Sequence, residues 1–310
     1  MRYFSLNEYC KQSFDGKVYR LSLNGGMTCP NRDGSLGVGG CTFCSEGGSG
    51  DFAASYDVSI SAQIAEAQTR IQQKTNCNKF IAYFQAYTNT YAPLSHLRRI
   101  YTEALETPEV VALSIGTRCD CLGEDVLALL DELQNTTWPS PAGLVPKPIW
   151  VELGLQTIHD VTHIHLNTHT TVSLFDEAVA KLRAHSISVI THIILGLPGE
   201  TKEMMLQTVS HVASLPIAGI KLQLLHILKG TKLAFEYEAE PFPLFELEEY
   251  CDFIIDCLEI LPPDMVIHRL TGDGPRKLLI APLWSTDKKR VLNTINKKLY
   301  ERDTWQGKRF

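Results

Sequence analysis

Cys29, Cys41 and Cys44 stand in one glycine-rich stretch as C-x11-C-x2-C, a set of soft ligands for a metal centre. Gly34, Gly37, Gly39, Gly40 and Gly47 lie in or beside it, so the backbone can wrap tightly around a compact group. Structural zinc sites close with four ligands, and ordinary ferredoxin clusters use four cysteines. Here a single loop offers three, with no fourth at a matching spacing. That arithmetic points to a [4Fe–4S] cluster whose remaining iron is left to a small molecule. A zinc loop completed by a histidine or a distant cysteine is the competing reading.

The elements that must hold this loop are legible as an alternation. An apolar strand-like run, 18–23, precedes it. Ile60, Ile64, Ala67 and Ile71 then fall at helical spacing before a strand at 80–84. A helix face at Leu94, Leu97, Tyr101, Ala104 and Leu105 precedes a strand at 110–115. Leu122, Val126, Leu129, Leu130 and Leu133 make a third helix, which leads into 136–148, a proline-rich stretch read as an insertion or flexible connection. Strands at 149–155, 187–195 and 220–228 then alternate with helices at 175–182 and 205–213. Six βα-type repeats imply a parallel sheet with helices outside it. Periodicity alone does not choose between a partial barrel and an open doubly wound sheet. Residues 1–235 are expected to form the α/β barrel unit. Residues 236–310 are expected to form a C-terminal α/β extension, either separate or packed as one unit with the barrel.

Composition bounds the function. The chain has 310 residues, 44% apolar and 21% charged, enough for a large core. Nine cysteines with no apolar leader at 1–8 read as reduced thiols in a cytoplasmic protein, and no segment reads as a membrane span. The net charge of −6 is unevenly spread: residues 268–310 hold eleven Lys/Arg and four Asp/Glu, whereas 236–264 hold ten acids and no Lys or Arg. A basic tail of that kind marks either a polyanion site or a segment that packs back on the acidic helix.

In parallel α/β architectures chemistry sits at the carboxyl ends of the strands. The polar residues there are the cysteine loop, then 85–91, Thr117 with Arg118, Gln156, the turn 196–201, and His226 with Lys229. Together they describe a pocket with a metal centre at one end.

The runs CPNRDGSLGVGGCTFC and SEGGSGDF, then FQAYTNTY, IGTRCDCL, VELGLQ, HIILGLPGET and HRLTGDGP, resemble the radical S-adenosylmethionine (SAM) proteins of the YhcC/YtqA type. These are relatives of the radical SAM domain of the Elongator catalytic subunit. The resemblance covers nearly the whole chain and implies a partial (β/α)6 TIM-like barrel. It implies that Cys29, Cys41 and Cys44 ligate three irons of a [4Fe–4S] cluster, that SAM chelates the fourth, and that one-electron cleavage yields a 5′-deoxyadenosyl radical. An external reductant such as flavodoxin or ferredoxin would supply the electron. By the same resemblance Gln156 approaches the ribose, His192 stands where a related branch carries an acidic ribose ligand, and the backbone of Gly196, Pro198 and Gly199 meets the adenine. Gln85 is a further cofactor candidate. Arg118 is the candidate for the methionyl carboxylate, because relatives often carry Arg where this chain has Thr168. Cys119 stands where proline is expected; it and Cys121 read as thiols beside the pocket, with a second cluster as the alternative.

The resemblance further implies tRNA as substrate, at a wobble uridine whose carboxymethylaminomethyl group becomes aminomethyl. Candidate substrate contacts are Tyr87, Asn89, Tyr91, His226, Lys229, Arg269, Arg276, Lys288, Lys289 and Arg290, with Trp284, Tyr300 and Trp305 interleaved among the tail charges. A radical enzyme acting on a small molecule or protein, and a non-catalytic metal scaffold, are the other readings. His159, His163, His165 and His169 are expected in surface or packing roles.

Overall fold

Seven strands make one sheet in which spatial order repeats chain order and every neighbouring pair is parallel. They are β1 (Tyr19–Leu23), β2 (Phe80–Phe84), β3 (Val110–Thr117), β4 (Ile149–Gln156), β5 (Ser188–Leu195), β6 (Gly219–Leu224) and β7 (Val266–Arg269). A doubly wound sheet would reverse direction at a switch point, and this one does not. The sheet is a curled half-barrel of the TIM type, with a seventh strand added to the six that the alternation predicts. The computed structural model describes residues 2–48, 50, 51, 53, 56–272 and 274–310; Ser49 and Phe52 of SEGGSGDF and Asp273 of HRLTGDGP lie outside the described residues.

Helices such as Ile60–Gln72, Leu94–Leu105, Val172–Ala184 and Lys202–Ser214 return the chain between strands. Ser59, Thr171 and Thr201 cap three of them, each hydroxyl accepting from the N–H three residues on at 3.2–3.3 Å. The helix-facing side of the sheet is apolar: Leu21, Ala82, Leu113, Val151, Val189 and Ile220 are all essentially inaccessible. Each large aliphatic side chain so buried contributes roughly 1.5–3 kcal/mol.

The opposite side of the strands faces the barrel interior and is layered, because inward positions recur every second residue. The lowest layer is apolar, with Ile81, Ala112, Trp150 and Ile190 packed under the N-terminal helix Leu6–Phe14. Tyr9 meets the Trp150 ring edge-on at 5.8 Å, so this helix plugs the bottom. Two residues further along each strand the interior becomes polar.

Residues 136–148 are not a flexible connection. They fold as a hairpin of Thr137–Ser140 against Gly143–Pro146, pinned by buried Trp138, whose indole N–H donates to the Leu133 carbonyl at 3.0 Å. Its prolines are tolerated because only two strands are present, so each strand has an edge that no neighbour pairs with.

The acidic helix Leu247–Glu259 and the C-terminal helix Lys288–Glu301 pack together through Val291, Ile295 and Leu299, in the same core as the barrel helices. Lys298 reaches both Glu248 and Asp252 at 2.9 Å, and Arg302 spans Asp252 and Asp256 at 2.8 Å. Part of the basic tail therefore does fold back on the acidic surface. Among the described residues no helix is long and apolar enough to cross a membrane.

Candidate active site

The cysteine loop leaves β1 and is tied down from three directions. Thr42 N–H donates to the Leu166 carbonyl and Leu233 N–H to the Thr42 carbonyl, both at 2.9 Å. The Asn167 amide donates to the Gly40 carbonyl at 2.9 Å. Arg32 closes the loop on itself, giving Nη2 to the carbonyls of Cys44 (3.1 Å) and Ser45 (2.6 Å). Gly40 is required here: its φ is +78°, and a Cβ would stand 2.7 Å from the Arg32 side chain.

Cys29, Cys41 and Cys44 all line one cavity at the carboxyl ends of the strands. Burial, then the neighbouring Cys44, pushes the Cys41 thiol up to about 12, so its proton leaves only in exchange for a metal bond. The Asn31 amide donates to Cys41 Sγ at 3.6 Å and to the Asn167 carbonyl at 2.6 Å, while its buried Oδ1 has no partner. Burial opposes the Arg32 charge, but the adjacent Cys44 sulfur more than offsets this and holds the guanidinium up. A cation beside the sulfurs is suited to a cluster of thiolates. Among the described residues no three His, Cys, Asp or Glu side chains converge on one ion. Three thiols on one cavity wall, with no fourth beside them among the described residues of the lining, are the ligand set that a cluster with one open iron takes. Cys119 and Cys121 lie in the turn after β3, and neither lines this cavity.

Of the other predicted cofactor residues, Gln85, Arg118, Gln156 and His192 line the cavity. Gln156 holds a φ of +65° at the end of β4, uncommon for a residue with a side chain. Gly154 makes room for that side chain, since a Cβ there would lie 2.7 Å from its amide nitrogen. Arg118 presents its fork to Asp120, at 2.8 and 2.7 Å, and its last amine to the Thr168 carbonyl at 2.9 Å. The methionyl carboxylate would have to share it. Gly196, Pro198 and Gly199 do not line the cavity; the turn packs on Phe245 and Met205, and Ile194 faces the cavity instead.

The substrate candidates divide. Tyr87, His226 and Arg269 line the cavity. Asn89 does not: it is fully buried and donates to the carbonyls of Phe84 (3.1 Å) and Gly116 (2.8 Å), lacing β2 to β3. Tyr91 is outside as well, donating to Ser35 at 2.8 Å on a recess behind the loop. Lys229 and Arg276 are exposed near the mouth, next to or two residues from the lining residues Leu228 and Gly274. Lys288, Lys289 and Arg290 stand exposed on the C-terminal helix, away from the cavity. The histidine tract divides between packing and surface: His163 is buried between the Thr157 carbonyl (2.9 Å) and the Thr168 hydroxyl (2.8 Å), while His165 and His169 are exposed.

Sequence reasoning picked out one member of the cavity floor, His192, and missed the rest. Every strand sends a polar side chain into one layer: Arg20, Tyr83, Ser114, Glu152, His192, Lys221 and His268 from β1 to β7 in turn. Glu152 is its centre. It takes a hydrogen bond from Ser114 at 2.7 Å, ion-pairs with Lys221, meets His192 Nε2 at 2.7 Å and lies 3.6 Å from Arg20. Burial alone would raise the Glu152 carboxyl, but Lys221 and then Arg20 and His192 hold it well below the usual carboxylate range. Burial pushes His192 down to about 4, so it is neutral at pH 7. The signal was available in VELGLQ and in Lys221, since an ionisable residue inside an apolar strand is costly unless paired.

The comparisons with known proteins agree with this geometry. The radical SAM superfamily profile matches residues 29–212, and the radical SAM C-terminal domain profile matches 217–301. Protein YtqA of Bacillus subtilis strain 168 is 45% identical over 309 residues, covering 100% of this chain and 93% of its own. Protein YhcC of Escherichia coli K12 is 36% identical over 285 residues, covering 92% of this chain and 88% of its own. Among solved structures, the archaeal Elp3 of Methanocaldococcus infernus aligns over 93% of this chain with a TM-score of 0.68 and 15% identity, a likeness of fold. The chain spans 64% of that protein. The chain belongs to the radical SAM superfamily, whose enzymes work with a [4Fe–4S] cluster, S-adenosylmethionine and an external one-electron reductant.

Proposed function

We propose that this enzyme modifies the side chain of a tRNA wobble uridine, converting a carboxymethylaminomethyl group to aminomethyl. The methylene between amine and carboxylate loses a hydrogen atom and an electron, with SAM as the oxidant, and water splits the resulting iminium into the amine and glyoxylate. When bound, the cluster and SAM supply a 5′-deoxyadenosyl radical that takes a hydrogen atom from substrate. Cys29, Cys41 and Cys44 would hold the cluster at the rim, with Gln85, Gln156 and His192 on the cofactor walls. Arg118 shares its charge between Asp120 and the methionyl carboxylate. The electron donor would be of the flavodoxin or ferredoxin class.

The observation that carries the substrate reading is the cationic border of the mouth. Lys229, Arg276 and Lys277 are exposed there, and Lys229 N–H donates to the Leu278 carbonyl at 2.7 Å, which holds the two segments together. Such a border can seat phosphates while one nucleobase enters the cavity. The sequence resemblance to the Elongator radical SAM domain points the same way. Nucleoside analysis of tRNA after deletion of the gene tests it. Carboxymethylaminomethyluridine should accumulate at the wobble position as its aminomethyl products vanish, and an unchanged profile would sink the reading.

A second reading, a small-molecule or protein substrate, is favoured by the internal pairing of Lys298, Arg302 and Arg309 with Glu248, Asp252, Asp256 and Glu259. Those charges are spent within the chain. This reading expects no salt-sensitive tRNA binding.

A further inference from the structure

The floor of the cavity gathers more basic side chains than acidic ones, Arg20, Lys221 and Arg269 against Glu152. Arg20 and Lys221 share one carboxylate, Glu152, which has a side chain with no exposure. Burial holds the two histidines of the layer, His192 and His268, neutral. Lys221 is 1% exposed yet lines the cavity, and Arg20 Nε is buried without a hydrogen-bond partner. Burial, with Arg20 and Arg269 nearby, presses the Lys221 ammonium downward against the support of Glu152. An anion arriving beside Lys221 would supply the counter-charge that favours its protonated form.

The lining around Lys221 is shaped for a small polar group rather than an apolar one. The Lys221 ammonium lies 3.2 Å from the Tyr83 hydroxyl, and Gln223 lines the next position along β6. We propose that this floor is a carboxylate subsite, in which Lys221 receives an anionic group carried by the substrate at its deepest point. It rests on the wobble-uridine reading for the identity of that carboxylate, the carboxymethyl end of the side chain, and not for the charge of the floor. The three cysteines and Lys221 line the same cavity, so a carboxylate held at Lys221 would leave the carbon between amine and carboxylate inside the space that the cofactor would share.

The test has two arms on the anaerobically reconstituted holoenzyme. In the first, saturation-transfer NMR compares acetate with its neutral isostere acetamide at fixed ionic strength. Acetate should bind at least tenfold more tightly, and Lys221→Met should remove the difference. Arg20→Met, which leaves Lys221 in place, should weaken acetate several-fold and serves if Lys221→Met fails to load iron. Equal binding of both probes, or acetate binding untouched in an iron-loaded Lys221→Met, overturns the subsite. In the second arm, tRNA bearing carboxymethylaminomethyluridine is compared with its methyl ester, and the acid should show a KM at least tenfold lower. If neither tRNA is turned over while acetate binds through Lys221, the tRNA reading falls and the subsite stands. If both are turned over with equal KM, the subsite falls and the tRNA reading stands.

Discussion

His192 Nε2 stands 2.7 Å from Glu152 Oε2, and the side chain of that histidine is 18% exposed. Its ring is held neutral down to about pH 4 by burial and by Lys221, whereas in the unfolded chain it titrates near 6.5. Between those values the unfolded state binds the extra proton, so stability is full above about pH 6.5 and falls as the pH drops toward 4. The loss attributable to this group is about 3 kcal/mol at most. Urea titrations of the metal-free chain from pH 7.5 to 4.5 should show the decline, and His192→Gln should flatten it. An identical slope in the variant would contradict the assignment.

Glu152 is the one carboxylate that Arg20 and Lys221 share, so removing it costs more than removing either cation's hydrogen bonds. Glu152→Ala should destabilise the fold by roughly 3–5 kcal/mol, the usual result of orphaning a buried charge. The denaturation midpoint in urea measures this, and a shift worth less than about 1 kcal/mol would show that water has replaced the carboxylate.

Each of Cys29→Ser, Cys41→Ser and Cys44→Ser should abolish iron retention and 5′-deoxyadenosine formation. Cys119→Ser and Cys121→Ser should keep both, because those thiols stand off the cavity. Iron and sulfide analysis of the reconstituted variants decides the matter. Loss of the cluster on substituting Cys121 would mean that the ligand set extends beyond the loop.

At the C-terminal helix, packing should outweigh charge. Leu299 is fully buried, so Leu299→Ala should cost about 2–5 kcal/mol. Lys298→Met breaks pairs with partly exposed carboxylates, worth roughly 0–1 kcal/mol and weakened by salt. Thermal melts at low and high salt separate the two terms.

If tRNA is the substrate, replacing Lys229, Arg276 and Lys277 with alanine should weaken its binding at least tenfold and flatten the salt dependence by roughly one unit of slope for each phosphate left without its cation. Uncoupled 5′-deoxyadenosine formation should be unchanged. Filter binding from 50 to 200 mM salt measures the slope, and unaltered slopes would place the phosphates elsewhere, with Lys288, Lys289, Arg290 and Lys297 the next surface to vary.

The sequence carried the barrel because its outward faces are uniformly apolar and its helices have regular spacing and caps. The cysteine loop was legible because ligand chemistry depends on residue type and separation. The floor was not, because attention to strand ends passes over polar residues one layer below them, and Glu152 lies within a run that otherwise reads as core. Asn89 and Tyr91 were misplaced for a different reason. Both follow β2 as pocket residues would, but the chain turns there, and Asn89 spends its amide on carbonyls of neighbouring strands. The hairpin at 136–148 shows that prolines mark a break in the main sheet without excluding local pairing.

Among the described residues no backbone ladder joins β1 to β7, and their nearest link is Arg20 Nη2 against His268 Nδ1 at 2.6 Å. A closed hoop of strands fixes its own diameter; this arc does not. Across the interior its span is held by side chains, the Arg20–His268 contact together with those of Glu152 and Lys221, so no ladder needs to break for the width to change. If the substrate is a polymer presenting one base, such sideways give would ease its entry where a closed ring would resist it.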